Sequence, residues 1–266
     1  SAARKKTRDE TGISGGYMTS YGRDVVDFFA GSIPSAKGLA VGGPAALLWA
    51  LACLMFAGVL KTRWNWKTGY TRKVFHFLIF GTVVVVHWIW EASGVSLFGG
   101  MTTLVIAYAL LRGPGHFMYE AIAREKDAPK RTHYVVVPYF ATLIGGLITN
   151  IFFPRAAVFG YLVAGLGDAV AEPVGTRFGK HQYRAPAMRG VRAIRSLEGS
   201  GSVLIVSALA LTACLGVSPH FSLSGGSLLV VALIAVVSTA VEAVSPHGWD
   251  NAALQVVPAW LGSVLL

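Results

Sequence analysis

The sequence predicts an all-α, polytopic integral membrane protein with about eight transmembrane helices, and three observations predict it. Of 266 residues, 54% are hydrophobic and only 14% charged, with a mean hydropathy of +0.57. Soluble domains carry about 25% charged residues. Apolar segments of near-spanning length recur from residue 39 to the end, and the basic residues gather in the connections between them. This composition excludes a water-soluble globular domain and a disordered chain. Two cysteines, Cys53 and Cys214, exclude a disulfide framework or a cysteine-rich metal centre, and both read as small core hydrophobes. The net charge of +10 is assigned to a basic membrane-facing surface, with no nucleic-acid partner expected in so apolar a chain.

Residues 1–38 read as a polar N-terminal tail, and residues 39–266 as the transmembrane domain. The tail opens on Arg4, Lys5, Lys6 and Arg8. Without a long apolar stretch it is not expected to be a signal peptide. Val25, Val26, Phe28 and Phe29 suit a short interfacial helix, and Pro34 and Gly38 break the chain after it. The apolar segments then run Leu39–Leu60, Val74–Trp90, Gly94–Leu111, Tyr134–Phe153, Ala156–Val174, Ser200–Val217, Gly225–Val244 and Ala252–Leu266. A spanning helix needs about 20 apolar residues, with about 17 as the lower limit, so the last is short and is open to interruption at Pro258. Only Glu91–Ser93 separates the second from the third, which predicts a tight hairpin.

Charge sets the orientation. The connections 61–73, 112–133 and 175–199 hold sixteen of the 23 Lys and Arg residues. In an eight-span chain all three lie on one side, which the positive-inside rule makes cytoplasmic or its equivalent, in a bacterial inner membrane or an organellar or ER membrane. Arg155 and the basic residues of the tail fall on the other side.

The residues that lipid should exclude carry the chemistry. Asp168 and Glu172 lie late in the fifth segment, four residues apart and so on one helical face. A carboxylate at a helix centre is costly, about 2.5–3.5 kcal/mol on insertion scales, and is by default functional. Two acids on one face suit a divalent cation or a proton site. Glu242 closes the seventh segment, and Asp250 and Asn251 follow in a Pro-Gly turn as hard oxygen ligands suited to Mg²⁺. The same face holds the glycine-rich run Gly175–His181, which is not a Walker A motif because only three residues separate its glycines and His181 follows Lys180. Its glycines, Gly175 and Gly179, let backbone amides approach a phosphate, and Lys180 and Arg195 supply charge to it. Ser196 and Glu198 precede the sixth segment, where helix N-terminal amides favour anions. Arg72 and Lys73 act as a positive-inside anchor, and His76 follows one turn into the membrane. Acids, bases and a glycine-rich turn at one membrane face suit phosphoryl or nucleotidyl transfer to a lipid with Mg²⁺.

At these residues the chain resembles the CTP-dependent lipid-alcohol kinases, the family of dolichol, phytol and farnesol kinases and the fungal CTP-dependent diacylglycerol kinase. The matching stretches are Arg72-Lys73-x-x-His76, Gly167-Asp168-Ala169, Gly175-x-x-Phe178-Gly179-Lys180-His181, Ser196-Leu197-Glu198-Gly199-Ser200, and Glu242 with Ser245-Pro246-x-Gly248-x-Asp250-Asn251. Arg195 stands where the family pattern has lysine, and Glu172 where many members carry a small or apolar residue. The length matches the short isoprenol and phytol kinases.

The resemblance implies transfer of the γ-phosphate of CTP to a membrane lipid alcohol, an isoprenoid alcohol or diacylglycerol. It implies Mg²⁺ held from among Asp168, Glu198, Glu242 and Asp250, and Glu172 joins them as a metal candidate on its spacing from Asp168 alone. Asp168, Asp250 and His76 are the catalytic candidates. Arg72, Lys73, Gly175, Gly179, Lys180, Arg195, Ser196, Gly199 and Asn251 are the candidates for binding the nucleotide. Phosphatidate cytidylyltransferases share the nucleotide and a distantly similar glycine-acid pattern. Their C-terminal basic signature is absent from Ser245–Asn251. A cation-coupled transporter would place its acids near the midplane of broken helices rather than at one surface.

Overall fold

The computed structural model describes residues 20–186, 193–218 and 220–266. The early tail with Arg4, Lys5, Lys6 and Arg8 lies outside the described residues, as do Arg189 and Arg192 of the third basic connection. The helices are α1 (Ser20–Ser32), α2 (Ala36–Arg63), α3 (Thr68–Arg112), α4 (Phe117–Ile122), α5 (His133–Phe152), α6 (Ala157–Leu162), α7 (Asp168–Phe178), α8 (Leu197–Val217), α9 (Gly225–Val244) and α10 (Asp250–Leu265). Between α7 and α8 the third basic connection contains a two-stranded antiparallel ribbon, β1 (Gln182–Ala185) and β2 (Ala193–Ser196), which pairs Tyr183 with Arg195. The all-α expectation missed it. A four-residue strand in a basic loop has no hydrophobic alternation to announce it.

Among the described residues, six helical runs are long and apolar enough to cross a membrane: α2, α3, α5, Pro154–Phe178, α8 and α9. Eight were expected. The difference has two sources. Helix α10 is only 16 residues long, although Pro258 lies within it and does not cut it. Helix α3 counts once because its helical pattern resumes directly after Glu91, the one residue with non-helical torsions (φ 48°, ψ −144°). Its path is nonetheless a reversal. A Cβ built on Gly94 would lie 2.9 Å from Val86 Cγ1, whereas a continuous helix separates positions eight apart by about 12 Å along its axis. Ser93 Oγ donates to the Trp90 carbonyl and closes the turn. The two arms therefore lie against α2 in opposite directions. Trp49 bonds Thr82 of the first arm, and Gly42 faces Leu97 of the second.

Local signals place the ends. Ser35 caps α2 by accepting from the Gly38 amide at 3.0 Å, so the helix starts three residues before its apolar run. Lys61 and Arg63 occupy its last turn, where cations suit the helix dipole. The α1 helix leaves Val26 and Phe29 exposed. The outer surface of the bundle is apolar, with Leu48, Leu209 and Leu229 all well exposed, as lipid contact requires and water would not allow.

The run Pro154–Phe178 is the centre of the bundle, and residues 156–165 are buried without a break. Small residues make this possible. A side chain at Gly160 would strike the Gln255 backbone, one at Gly165 would strike Phe80, and one at Gly167 would strike Ser207. Close backbone approach through glycine is how membrane helices pack without a hydrophobic driving force. Val163–Gly167 forms a π-helical turn immediately before Asp168. Such turns cluster at functional sites.

Candidate active site

The three basic connections meet. Lys61 bonds Glu125 at 2.5 Å, and Thr68 Oγ1 donates to the same carboxylate. Arg124 and Lys126 reach Glu172 of α7 at 3.1 and 2.9 Å. Between α3, α7, the ribbon and the turn before α10 they enclose a polar cleft of about 650 Å³. Its lining includes Arg72, Lys73, Asp168, Glu172, Gly175, Arg195, Ser196, Gly199, Glu242, Asp250 and Asn251. Eleven of the candidates named from sequence thus share one cavity.

Asp168 begins α7 just after the π-turn and is buried. Lys73 Nζ donates to its Oδ2. His76 lies beneath the pair, with Nε2 3.9 Å from the same oxygen and donating to the Ala164 carbonyl at 2.7 Å. His76 does not line the cleft. It packs on Phe80 and supports Asp168 from below.

Arg195 is the second focus. The ribbon and the Ser196 cap fix it, since Ser196 Oγ accepts from the Gly199 amide at the start of α8. Its Nε meets Glu242 Oε1 at 3.0 Å and its Nη2 meets Asp250 Oδ2 at 3.0 Å. One guanidinium therefore bridges two carboxylates from different helices. Glu242 also accepts from Ser200, which accepts in turn from the Tyr183 hydroxyl. Burial pushes the Tyr183 phenol up, so it stays a donor.

The remaining cations are not all satisfied. Arg72 forms no ion pair among the described residues, and its Nη1 is buried without a hydrogen-bond partner. Nη1 of Arg195 is in the same state. Buried, unpaired guanidinium N–H groups are costly unless something accepts from them, and planar guanidinium forks match phosphate oxygens.

Several candidates stand elsewhere. Lys180 is exposed, and both it and the half-buried Gly179 lie outside the cleft lining. A Cβ on Gly179 would strike the Gly175 carbonyl and Ser196, and one on Gly199 would lie 2.9 Å from the Ala171 carbonyl. These glycines are needed where α7 passes α8, and Gly199 also lines the cleft. Glu198 pairs with exposed His181 at 2.8 Å. Asn251 lines the cleft, but its amide nitrogen donates to Pro138 and Thr142 of α5.

Two important residues were not singled out from sequence. Arg124, counted there only as an orienting charge, is buried and ties three segments together. Its Nε donates to Asp127 at 2.8 Å, its Nη1 to Glu172, and its Nη2 to His247 Nε2 at 2.6 Å. Burial and the Arg124 guanidinium drive the His247 imidazole down to about 3, so it is neutral and accepts this bond. No signal in the sequence marks a loop arginine as buried.

Among the described residues, no group of three or more His, Cys, Asp or Glu side chains is close enough to hold a metal ion by itself. Mg²⁺ seldom needs one. It is commonly bound by one or two carboxylates with substrate phosphates and water completing its shell. Asp168, Glu242 and Asp250 in one cleft fit that mode, whereas Glu172 is held by two bases at once, Arg124 and Lys126, and Glu198 lies outside the cleft lining.

Fold and site define a helical integral membrane protein with a charged cleft whose free guanidinium donors suit an anion. Compared with known proteins, the chain is 28% identical over 201 residues to a phytol kinase of Synechocystis sp., covering 73% of this chain and 80% of that one. That similarity supports a phytol kinase-like family, in agreement with the motif resemblance. No family model and no solved structure matches.

Proposed function

We propose that the protein is a CTP-dependent kinase that phosphorylates the hydroxyl of a membrane lipid alcohol, with an isoprenoid alcohol such as phytol, farnesol or a polyprenol preferred over diacylglycerol. The observation that carries this is the pair of buried, unpartnered guanidinium donors on Arg72 and Arg195 in a cleft that also holds Asp168, Glu242 and Asp250. Similarity to a phytol kinase supports the reaction class, and the motif resemblance supports CTP as donor. In this reading the chain crosses the membrane eight times, twice through α3 and last through α10, with the cleft at the cytoplasmic or equivalent face.

Arg72, Lys73 and Arg195 bind the phosphate oxygens and draw off charge as it develops on them. The Asp168 carboxylate accepts the hydroxyl proton as the alcohol oxygen attacks the γ-phosphorus and CDP leaves. The lipid tail remains in the bilayer. Lys73 and His76 hold Asp168 in place, and Asp250 fixes the Arg195 fork. Glu242 and Asp250, with Asp168, would hold Mg²⁺, whose chemistry when bound is to bridge and neutralise phosphate oxygens.

The test supplies CTP labelled separately on the γ-phosphate and on cytosine, together with phytol, farnesol, a polyprenol, diacylglycerol and phosphatidate. The expected result is γ label alone in the lipid and CDP released. Cytosine in the lipid with pyrophosphate released would make the protein a cytidylyltransferase.

A further inference from the structure

Beside the polar cleft lies a second cavity, of about 420 Å³, between the first arm of α3 and α7. Of its twelve lining residues only Lys73 and Arg177 are charged. Two of its lining aromatic side chains are left uncovered by the bundle, Phe77 at 45% and Phe178 at 57% exposure. Lys73 lines both cavities, and its ammonium bonds Asp168, which belongs to the cleft alone. Ala169, the next residue, belongs to the apolar cavity alone. The change from apolar to charged surroundings therefore falls across one lysine side chain and one peptide step. Lysine suits such a boundary because its stem is hydrocarbon and only its tip is polar.

Resting on the kinase reading above, we infer that this groove holds the single isoprenoid tail of the alcohol and delivers its hydroxyl past Lys73 to Asp168. A prenyl alcohol has the same polarity profile as the groove, with a long apolar body and one small polar end. The volume is within the range of single-ligand pockets, about 300–1,000 Å³. Arg177 stacks on Phe178 at 5.4 Å, and apart from it and Lys73 the lining carries no charge. Val170 and Val174 line the groove from α7.

The experiment uses the full chain in phosphatidylcholine nanodiscs and a phytol analogue bearing a diazirine on its tail. Photolabel is expected on residues 66–78 and 169–178 and should be displaced by excess unlabelled phytol, although phosphatidylcholine is already abundant. Val174→Trp, which fills the groove, should lower protectable labelling at least tenfold. It should raise the phytol KM at least tenfold with the CTP KM within twofold. Phe178→Ala, at an exposed position where folding is not at stake, should act in the same direction. Label spread over the lipid-facing helices and not displaced by phytol would overturn the inference, as would Val174→Trp and Phe178→Ala proteins with unchanged labelling and KM. The groove would then hold bulk lipid. Labelling needs no turnover, which separates the two claims. Displaceable label without phosphoryl transfer would remove the kinase reading and leave the groove, and transfer without displaceable label would do the reverse.

Discussion

Arg195 joins Glu242 and Asp250 through two different nitrogens, a geometry that a single ammonium reproduces poorly. Removing one partner of a buried charge network leaves the others uncompensated, at about 3–5 kcal/mol. Arg195→Ala should therefore lose both activity and thermal stability. Arg195→Lys should keep measurable activity, with a raised nucleotide KM, since one cation remains between two acids. Melting curves in detergent beside CTP titrations check this. His247 makes a second prediction at this scale. Its folded pKa is depressed to about 3, against about 6.5 for a free imidazole. Above pH 6.5 neither state binds the proton and stability is complete. As pH falls from 6.5 toward 3 only the unfolded chain gains the proton, so stability declines. The melting temperature should fall more steeply from pH 7 to pH 5 in the parent than in His247→Asn, which keeps an acceptor for Arg124 without titrating. The acids and bases of this cleft were legible as residues that lipid should exclude. Their pairing was not, because ion pairs such as Lys73–Asp168 join positions 95 apart in the chain. Arg124 was hidden for the same reason, as burial of a loop residue is decided wholly by distant segments.

The informative element is α3. Three polar or small residues between two apolar runs were enough to predict a reversal at Glu91–Ser93, and Gly94 against Val86 has that geometry. The torsions of Glu91 could not be foreseen. A positive φ at a non-glycine residue costs on the order of 1–3 kcal/mol, and glycine adopts it freely. Glu91→Gly should raise the melting temperature in detergent, and Glu91→Val should lower it. Equal melting temperatures would mean that the turn holds no strain. At the same scale, the glycines of Gly175–His181 leave two uses open in the sequence, because close helix packing and phosphate approach both require a missing side chain. The position of Ser196 against Gly175 and of the Ala171 carbonyl against Gly199 establishes the packing use.

For the whole molecule, basic-residue asymmetry placed three connections on one side, and Arg72, Arg124 and Arg195, one from each, line a single cleft. Cys53 and Cys214 are buried, so introduced cysteines report cleanly. Cysteines at the exposed positions Lys67, Lys130 and Arg184 should react with an impermeant maleimide from one side of sealed vesicles, and one at Arg155 from the other. A split among the first three would separate the basic connections from one another. Asp168 and Asp250 converge in this cleft, and in the proposed reaction they serve transfer of the γ-phosphate from CTP to a lipid alcohol. The most direct test of that role is γ-phosphate transfer to phytol by the purified parent, Asp168→Asn and Asp250→Asn, each first shown to melt cooperatively. Parent activity that falls by two to four orders of magnitude in Asp168→Asn, the usual range for a lost general base, and by at least tenfold in Asp250→Asn, is predicted. Transfer by both folded variants at the parent rate would contradict it.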